Sequence, residues 1–380
     1  MNRKTIRITL LTLLILASIF FVFESDILPG LSTQRSTRGI LWILQEVVKH
    51  IQEDYLEKAD PSRTMEGAFK GLVNSLDEFS TYLPKEAVTK HLLNQDNTLL
   101  DVGIVLYKKF RTFPVVVGLR DSSPAAEQGI KIGDTVSTIE GKSALMMSMY
   151  EANLSLKGQT KGPVRIRILG ANENREVRIE RKRFSDKSYT YSEEEGTSGI
   201  LSIHRLDPPC VQEIRESVLP RLKPQSLPLV IDLRNCHEGD FEEMQKFVNL
   251  FLQSSNVGYF AQKGGKKEVL ACSSQPELPD LSLLIWTNQA TMGPAEAAAA
   301  ALKEYRKAKI LGFRTPGLVA KQNFISLEDG SGLILTSAIF HLNAKKKIWG
   351  QGVEPDVKME GLDQDRDSFL KETHKILSDI

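Results

Sequence analysis

The alternation of strand and helix patterns in the C-terminal half of the chain is the feature that most constrains its fold. The apolar runs LPLVIDLRN and LSLLIWTN have the composition of buried strands, and the helical patterns FEEMQKFVNLFLQ and TNQATMGPAEAAAAAL accompany them. Strands that alternate with helices are typical of layered α/β architectures. We therefore predict a layered α/β core over residues 197–360, followed by a helical tail over 361–380.

A second pattern precedes this core. Over residues 96–183 the β-rich runs VGIVLYKK and FPVVVGL are joined to further strands by the string SPAAEQGIKIGDTVSTIEGK. In that string Pro124 suits the first turn of a short helix and Gly129 suits its end. Residues 37–95 instead carry apolar side chains at helical spacing, as in ILWILQEVVKHIQEDYLEKA, with Asp77 and Ser80 in an expected turn. The chain is thus predicted to be an α/β multidomain protein with a helical N-terminal region.

The N-terminus has the character of a membrane segment. Arg3, Lys4 and Arg7 precede the apolar run Ile8–Phe23, and a basic flank of this kind holds the N-terminus in the cytoplasm. The run is near the lower length limit for a spanning helix, and no small residues of a cleavage site follow it. We expect residues 1–25 to be an uncleaved signal anchor, with the main body extracytoplasmic, on the periplasmic or cell-surface side.

Composition excludes several other classes of protein. The formal net charge is +1, which gives no reason to expect a nucleic-acid partner. Cys210, Cys236 and Cys272 are far apart and show neither metal-type spacing nor a disulfide framework. We expect no metal and no cofactor.

Several motifs together resemble one family. The string SPAAEQGIKIGDTVSTIEG resembles a bacterial PDZ domain, and LDEFSTYL, LVIDLRNCHEGD, AEAAAAALKEYRKAKILGFRTPGLV and LEDGSGLILTSAIFHLNAKKKIWGQGVEPDV resemble, in order, motifs of the C-terminal processing peptidases, also called tail-specific proteases. The resemblance implies an N-terminal helical segment, a PDZ β-sandwich or barrel-like domain over residues 96–183, and a layered α/β serine-peptidase-type core.

The same resemblance implies a catalytic serine–lysine dyad, in which a neutral lysine is the general base. Glu296 matches the glutamate three residues after the family's serine, which places the nucleophile position at Gly293. The motif that ends in the family's lysine matches Thr315–Leu318, which places the base position at Leu318. Glu304 matches a supporting aspartate between the two. Neither glycine nor leucine can perform the expected chemistry.

The oxyanion hole that the resemblance implies is also altered. One of its donors is the N–H of the residue after the serine, and here that residue is Pro294, which has no N–H. The other donor lies in a glycine turn, of which only Gly239 remains. Loss of one oxyanion donor alone costs ~100- to 1,000-fold in rate. Here the nucleophile, the base and one donor are absent together. We interpret the chain as a pseudoenzyme.

Two rearranged sites remain as alternatives. Thr291 and Lys321 lie two residues before and three residues after the two dyad positions and would form a shifted dyad. Cys236 and His237 would form a nucleophile–base pair at the rim of the same site. The alternative function is therefore an active serine-type endopeptidase with a relocated nucleophile.

Peptide recognition is the function that survives these losses. PDZ domains add a chain end to a sheet edge and capture its carboxylate with backbone N–H groups. By resemblance the capturing loop consists of Asp101, Val102, Gly103 and Ile104, where Asp101 replaces a glycine. An inward carboxylate would repel the ligand, whereas a solvent-facing one would not. We expect a membrane-anchored scaffold, or a regulator of an active peptidase relative, that binds peptides or protein C-termini.

Overall fold

The computed structural model describes residues 37–378, apart from 59, 97, 171–173, 185–186, 223–226, 253–255, 273–275, 279, 344–346 and 362–363. The chain divides into two compact units, residues 1–67 and 68–380. In the first unit, helix α1 spans Thr37–Asp54, and helix α2, Pro61–Asn74, crosses into the second. No helix within the described residues is long and apolar enough to span a bilayer, and the predicted anchor, 1–25, lies outside them.

The region predicted to be wholly helical contains a strand. The Asp77 carboxylate accepts hydrogen bonds from the backbone N–H groups of Phe79 and Ser80 at 2.8 and 2.7 Å, which forms the expected turn. The chain then enters strand β1, Thr81–Leu83, before helix α3, Lys85–Gln95. A strand of three residues is too short to show a period of two, so the sequence pattern missed it.

The PDZ-like segment, residues 96–183, forms its own sheet around an apolar core. Its strands are β2 (Ile104–Tyr107), β3 (Val115–Leu119), β4 (Thr135–Ile139), β5 (Lys142–Ser143), β6 (Pro163–Leu169) and β7 (Arg175–Glu180). The sheet order is β2-β3-β4-β6-β7, with β5 paired to β4. Helix α4, Pro124–Glu127, begins where the Ser123 hydroxyl accepts a hydrogen bond from the Ala126 N–H. Helix α5, Met149–Leu156, packs beside β2.

The α/β core is built on a largely parallel sheet, as the strand–helix alternation predicted. Its strands are β8 (Tyr189–Ser192), β9 (Ile200–Ile203), β10 (Leu229–Asp232), β13 (Leu283–Thr287), β14 (Lys309–Gly312) and β17 (Val357–Lys358), in the order β17-β14-β13-β10-β9-β8. Only the β8–β9 pair among these described strands is antiparallel. Helices α6 (Cys210–Ser217), α7 (Phe241–Asn249), α8 (Gly293–Arg306) and α9 (Arg366–Ser378) complete it.

An antiparallel sheet forms the remaining layer. It contains β11 (Asn256–Gln262), β12 (Lys267–Ala271), β15 (Ala320–Ser326) and β16 (Gly332–His341), and β1 pairs with β16. Phe247, Phe260 and Phe340 are fully buried between this sheet and the helices of the core. Helix α8 is buried along most of its length because alanine, at Ala295 and from Ala297 to Ala301, allows close packing on the neighbouring layers.

Candidate functional site

The candidate site lies where the parallel strands β10 and β13 end, the edge at which open α/β sheets bind ligands. The loops after these strands are joined by two asparagines. The backbone N–H of Asn235 donates to Asn288 Oδ1 at 3.1 Å, and Asn288 Nδ2 donates to Asn235 Oδ1 at 3.0 Å. Asn235 also donates to the Leu119 carbonyl of the PDZ-like segment at 3.2 Å, so that segment lies directly beside the site.

The predicted dyad positions are neighbours in space. The Gly293 N–H donates to the Leu318 carbonyl at 2.9 Å, and Gly293 begins helix α8. Gly293 has a φ of +56°, which favours glycine. A Cβ added there would meet no atom closer than the His237 carbonyl oxygen at 3.9 Å. The position where the family's serine would stand therefore faces open space beside the turn that follows β10.

Leu318 belongs to an apolar cluster between the PDZ-like segment and the core. Its side chain is 2% exposed, and the other members of the cluster are Val105, Val117, Met149, Ala290 and Met292. Gly118, between β3's apolar residues, has no room for a side chain because an added Cβ would lie 2.5 Å from Ala290 Cβ. The PDZ-like segment thus packs on the position of the expected general base.

Glu296 holds this loop in place, a role that its use as a sequence landmark did not reveal. Its buried carboxylate accepts hydrogen bonds from the Thr315 hydroxyl, from the Gly317 N–H at 2.7 Å and from the Leu318 N–H at 2.8 Å. Burial raises the pKa of Glu296 to about 7, and these three donors oppose that increase. The sequence signal for it was an acidic residue in the alanine-rich first half of the helix.

The assignment of Glu304 to a supporting role is wrong. Glu304 lies eleven residues after Gly293 in the same helix, and a rise of about 1.5 Å per residue places it roughly 16 Å away along the axis. At that distance its carboxylate cannot orient a group at either dyad position. The carboxylate that contacts the site is that of Glu296.

The two predicted oxyanion residues have structural reasons for their identities. Pro294 is buried in the first turn of α8, a position where proline's missing N–H costs little. Gly239 has a φ of +149°, and an added Cβ would lie 2.6 Å from the Leu206 carbonyl oxygen. Gly239 is therefore needed for close backbone packing, whether or not its N–H ever meets a ligand.

The alternative nucleophiles are buried and already engaged. Thr291 is fully buried, and its hydroxyl donates to the Leu233 carbonyl at 2.8 Å. Lys321, its proposed partner, pairs with Glu268 at 2.6 Å. Cys236 is fully buried, and burial raises the pKa of its thiol well above the ordinary value. His237 directs Nδ1 to the Asn235 carbonyl at 3.0 Å. The geometry supports neither rearranged site.

The predicted carboxylate-binding loop is occupied by its own side chain. Asp101 Oδ1 accepts hydrogen bonds from the Val102 N–H at 2.6 Å and the Gly103 N–H at 3.2 Å. The carboxylate therefore points toward the loop, which is the inward of the two orientations considered from the sequence. Farther along β2, the Asn153 amide of α5 bonds both the N–H and the carbonyl of Leu106 at 2.8 Å. Both ends of the expected peptide groove thus carry an internal substitute for a ligand.

A partly buried ion pair joins the same two regions. Lys157, at the end of α5, donates to Glu238 at 2.5 Å and to Asn94 Oδ1 at 2.9 Å. Burial alone would raise the pKa of Glu238, but Lys157, His237 and Arg205 together lower it to about 2. Glu238 stands in the turn where the resemblance predicts a glycine. From the sequence this change could be interpreted only as a loss.

Comparison with known proteins supports the resemblance stated from the sequence. Residues 199–359 match the sequence description of peptidase family S41. This segment of the chain is similar to peptidase family S41. A "Probable CtpA-like serine protease" of Staphylococcus aureus (strain COL) is 26% identical over 355 residues, which cover 93% of this chain and 71% of that protein. The corresponding protein of strain N315 is 27% identical over the same coverage.

A solved structure supports the same fold for this chain. A structure described as the photosystem II D1 C-terminal processing protease matches it with a TM-score of 0.66 and 19% identity, covering 89% of this chain and 97% of that one. At that identity the likeness establishes the fold alone. The predicted α/β multidomain class and the resemblance to C-terminal processing peptidases are confirmed.

Glu296 makes a testable contribution to stability. Its carboxyl has a pKa of about 7 in the folded protein against an ordinary value of 4.5, so the folded state binds the proton more tightly. This contribution is fully present below pH 4.5 and is lost as the pH rises through 7. As the pH rises from below 4.5 to above 7, we expect deprotonation of Glu296 to lower the wild-type free energy of unfolding by about 3 kcal/mol relative to a Glu296→Gln variant.

Denaturant unfolding at several pH values measures that difference. The comparison must be made between variants, because the pKa of His204 is lowered to about 4 by burial and by Arg120, and this histidine has the opposite pH dependence. The exposed Glu180→Gln variant is the matched control and should follow the wild-type curve. A stability difference between wild type and Glu296→Gln that stays constant with pH would contradict the expectation.

Proposed function

We propose that this chain is a non-catalytic, peptide-binding member of peptidase family S41. The observation that carries the proposal is the pair Gly293 and Leu318 at the predicted dyad positions, adjacent in space and without a nucleophile or a base. Leu318 is buried in apolar contact with the PDZ-like segment, so packing occupies the position where a base would stand. Pro294, which follows the nucleophile position, has no N–H to donate to an oxyanion.

Catalysis by a relocated nucleophile is the opposing interpretation, and the names of the staphylococcal relatives favour it. The burial of Thr291 and Cys236 argues against it. A nucleophile must reach a substrate carbonyl and give its proton to a base within hydrogen-bonding distance. The Thr291 hydroxyl donates to a backbone carbonyl instead, and the Cys236 thiol has a raised pKa.

The proposed binding role rests on the PDZ-like segment and on its position beside the former site. Peptides or protein C-termini are the expected ligands, and an active peptidase relative is the expected partner of a regulatory form. The apolar run Ile8–Phe23 with its basic flank supports a membrane-anchored form whose body is extracytoplasmic. Recovery of the full chain only as a soluble protein that begins after Ser25 would refute the anchor.

An activity assay on the purified full chain tests the central proposal. We expect no cleavage of an unstructured protein such as casein and no labelling by a fluorophosphonate, which reacts with activated serine and threonine. Thr291→Ala and Cys236→Ala distinguish the alternatives. Turnover by the unmodified protein that one of these variants abolishes would establish a relocated nucleophile and overturn the proposal.

A further inference from the structure

A charged cavity of about 380 Å³ lies between the PDZ-like segment and the core. Loop residues Asp101 and Gly103 line it on one side, and Asn235, His237 and Glu238 line it on the other. The cavity therefore connects the predicted carboxylate-binding loop with the turn at the former catalytic site. A peptide bound by either region would enter this space.

Most of the cationic side chains that line the cavity form ion pairs or hydrogen bonds with other residues of the protein. Arg234 Nη2 pairs with Asp232 at 2.8 Å, Lys157 pairs with Glu238 at 2.5 Å, and Arg205 Nε lies 3.2 Å from Asp207. Arg120 differs from them. Within the described part of the chain its guanidinium has no hydrogen bond and no ion pair. Its one specific contact is with the Phe184 ring, whose centroid lies 4.5 Å from the guanidinium carbon.

Arg120 is adjacent to the predicted binding loop. Its backbone N–H donates to the Gly103 carbonyl at 2.9 Å, and Phe184 packs against Gly103, where an added Cβ would lie 3.0 Å from the ring. The guanidinium is thus fixed on an aromatic face beside the loop whose own donors Asp101 occupies. Because Asp101 occupies those N–H groups, a ligand carboxylate in the cavity can bind the Arg120 guanidinium instead.

The geometry of the Arg120 guanidinium suits a carboxylate ligand. A guanidinium remains charged in proteins, and its planar fork matches the two oxygens of a carboxylate. The apolar side chains of Ile104 and Val105, on the edge strand β2, line the same cavity and suit an apolar terminal residue.

We propose that Arg120 binds the terminal carboxylate of a peptide in this cavity, in place of the loop N–H groups that Asp101 occupies. This inference rests on the proposed peptide-binding function and specifies the group that recognises the ligand. A terminal carboxylate and an aspartate side chain share the same chemistry, so the experiment must separate these two sources.

Fluorescence anisotropy with labelled peptides on the full chain tests the proposal. The probes are one apolar hexapeptide with a free C-terminus, the same peptide as a C-terminal amide, and the amide with one internal aspartate. We expect the free carboxylate to bind about tenfold or more tightly than either amide, as expected of a charge-assisted hydrogen-bonded pair. Arg120→Gln should remove this preference, and Arg120→Lys should keep only part of it.

Arg178→Gln is the matched control, because it removes an exposed arginine of β7 that does not line the cavity. It should leave the preference unchanged. Asp101→Gly should strengthen binding, since it removes a nearby carboxylate and frees two N–H donors. A preference that survives Arg120→Gln would overturn this inference but not the proposed function. Binding of no peptide by the wild type would overturn both, and equal binding of the aspartate-containing amide would refute a terminal ligand.

Discussion

Leu318→Lys, which installs the side chain of the family's general base, should destabilise the protein by about 4–5 kcal/mol at neutral pH. The physical reason is the apolar cluster around Leu318, in which an ammonium group would meet Val105, Val117 and Met149 and no acceptor. The Glu296 carboxylate is committed to three donors, among them the Leu318 N–H itself, and is not free to pair with a lysine. Denaturant unfolding of the full chain measures the loss.

Leu318→Met is the matched control for this change. Methionine has nearly the volume of leucine and no charge, so it should cost less than about 1.5 kcal/mol. If the lysine variant were as stable as the methionine variant, the base position would still be able to solvate a lysine. The interpretation of Leu318 as an interface residue would then be wrong.

The sequence predicted the parts of this fold that repeat over many residues. Parallel strands such as β10 and β13 are continuous apolar runs, and helix α8 is marked by its alanines, so their types were clear. The short strand β1 was missed because three residues carry no period. The order of the three regions followed from motifs whose spacing is fixed by turns, such as the string from Ser123 to Gly141.

The candidate site was only partly predictable, because its side chains are held by contacts between distant segments. Gly293 and Leu318 were found from motif register, and the structure brings their backbones together. The orientation of Asp101 toward its own loop, and the pairing of Lys157 with Glu238, depend on packing between residues far apart in sequence. Glu304 was assigned from register alone, and the length of the helix that carries it excludes the role.

The departures from the family's motifs at the candidate site share one physical consequence. Leu318 adds apolar contact between the PDZ-like segment and the core, and Glu238 adds an ion pair with Lys157 across the same boundary. Leu318 stands at the position of the expected base, and Glu238 stands where the resemblance predicts a glycine. Contacts of this kind favour one fixed arrangement of the two regions over the opening and closing that substrate turnover requires.

Restoring the catalytic groups one after another should show which loss matters most. Gly293→Ser with Leu318→Lys should give almost no turnover of casein, because serine must adopt the left-handed conformation at φ +56° and Pro294 still has no N–H. Adding Pro294→Ala returns a donor at the start of α8. We expect the triple variant to cleave about 100- to 1,000-fold faster than the double variant, the effect of one oxyanion donor.

Rates must be compared per folded molecule, because the lysine lowers the folded fraction of each variant. The matched control combines Gly293→Ala with Leu318→Lys and Pro294→Ala, which has the donor and the base but no nucleophile and should remain at background. Equal rates for the double and triple variants would show that the Pro294 position contributes no oxyanion donor. In that case the activity would be limited by the buried base, and the PDZ-like segment that covers Leu318 would be the barrier to substrate.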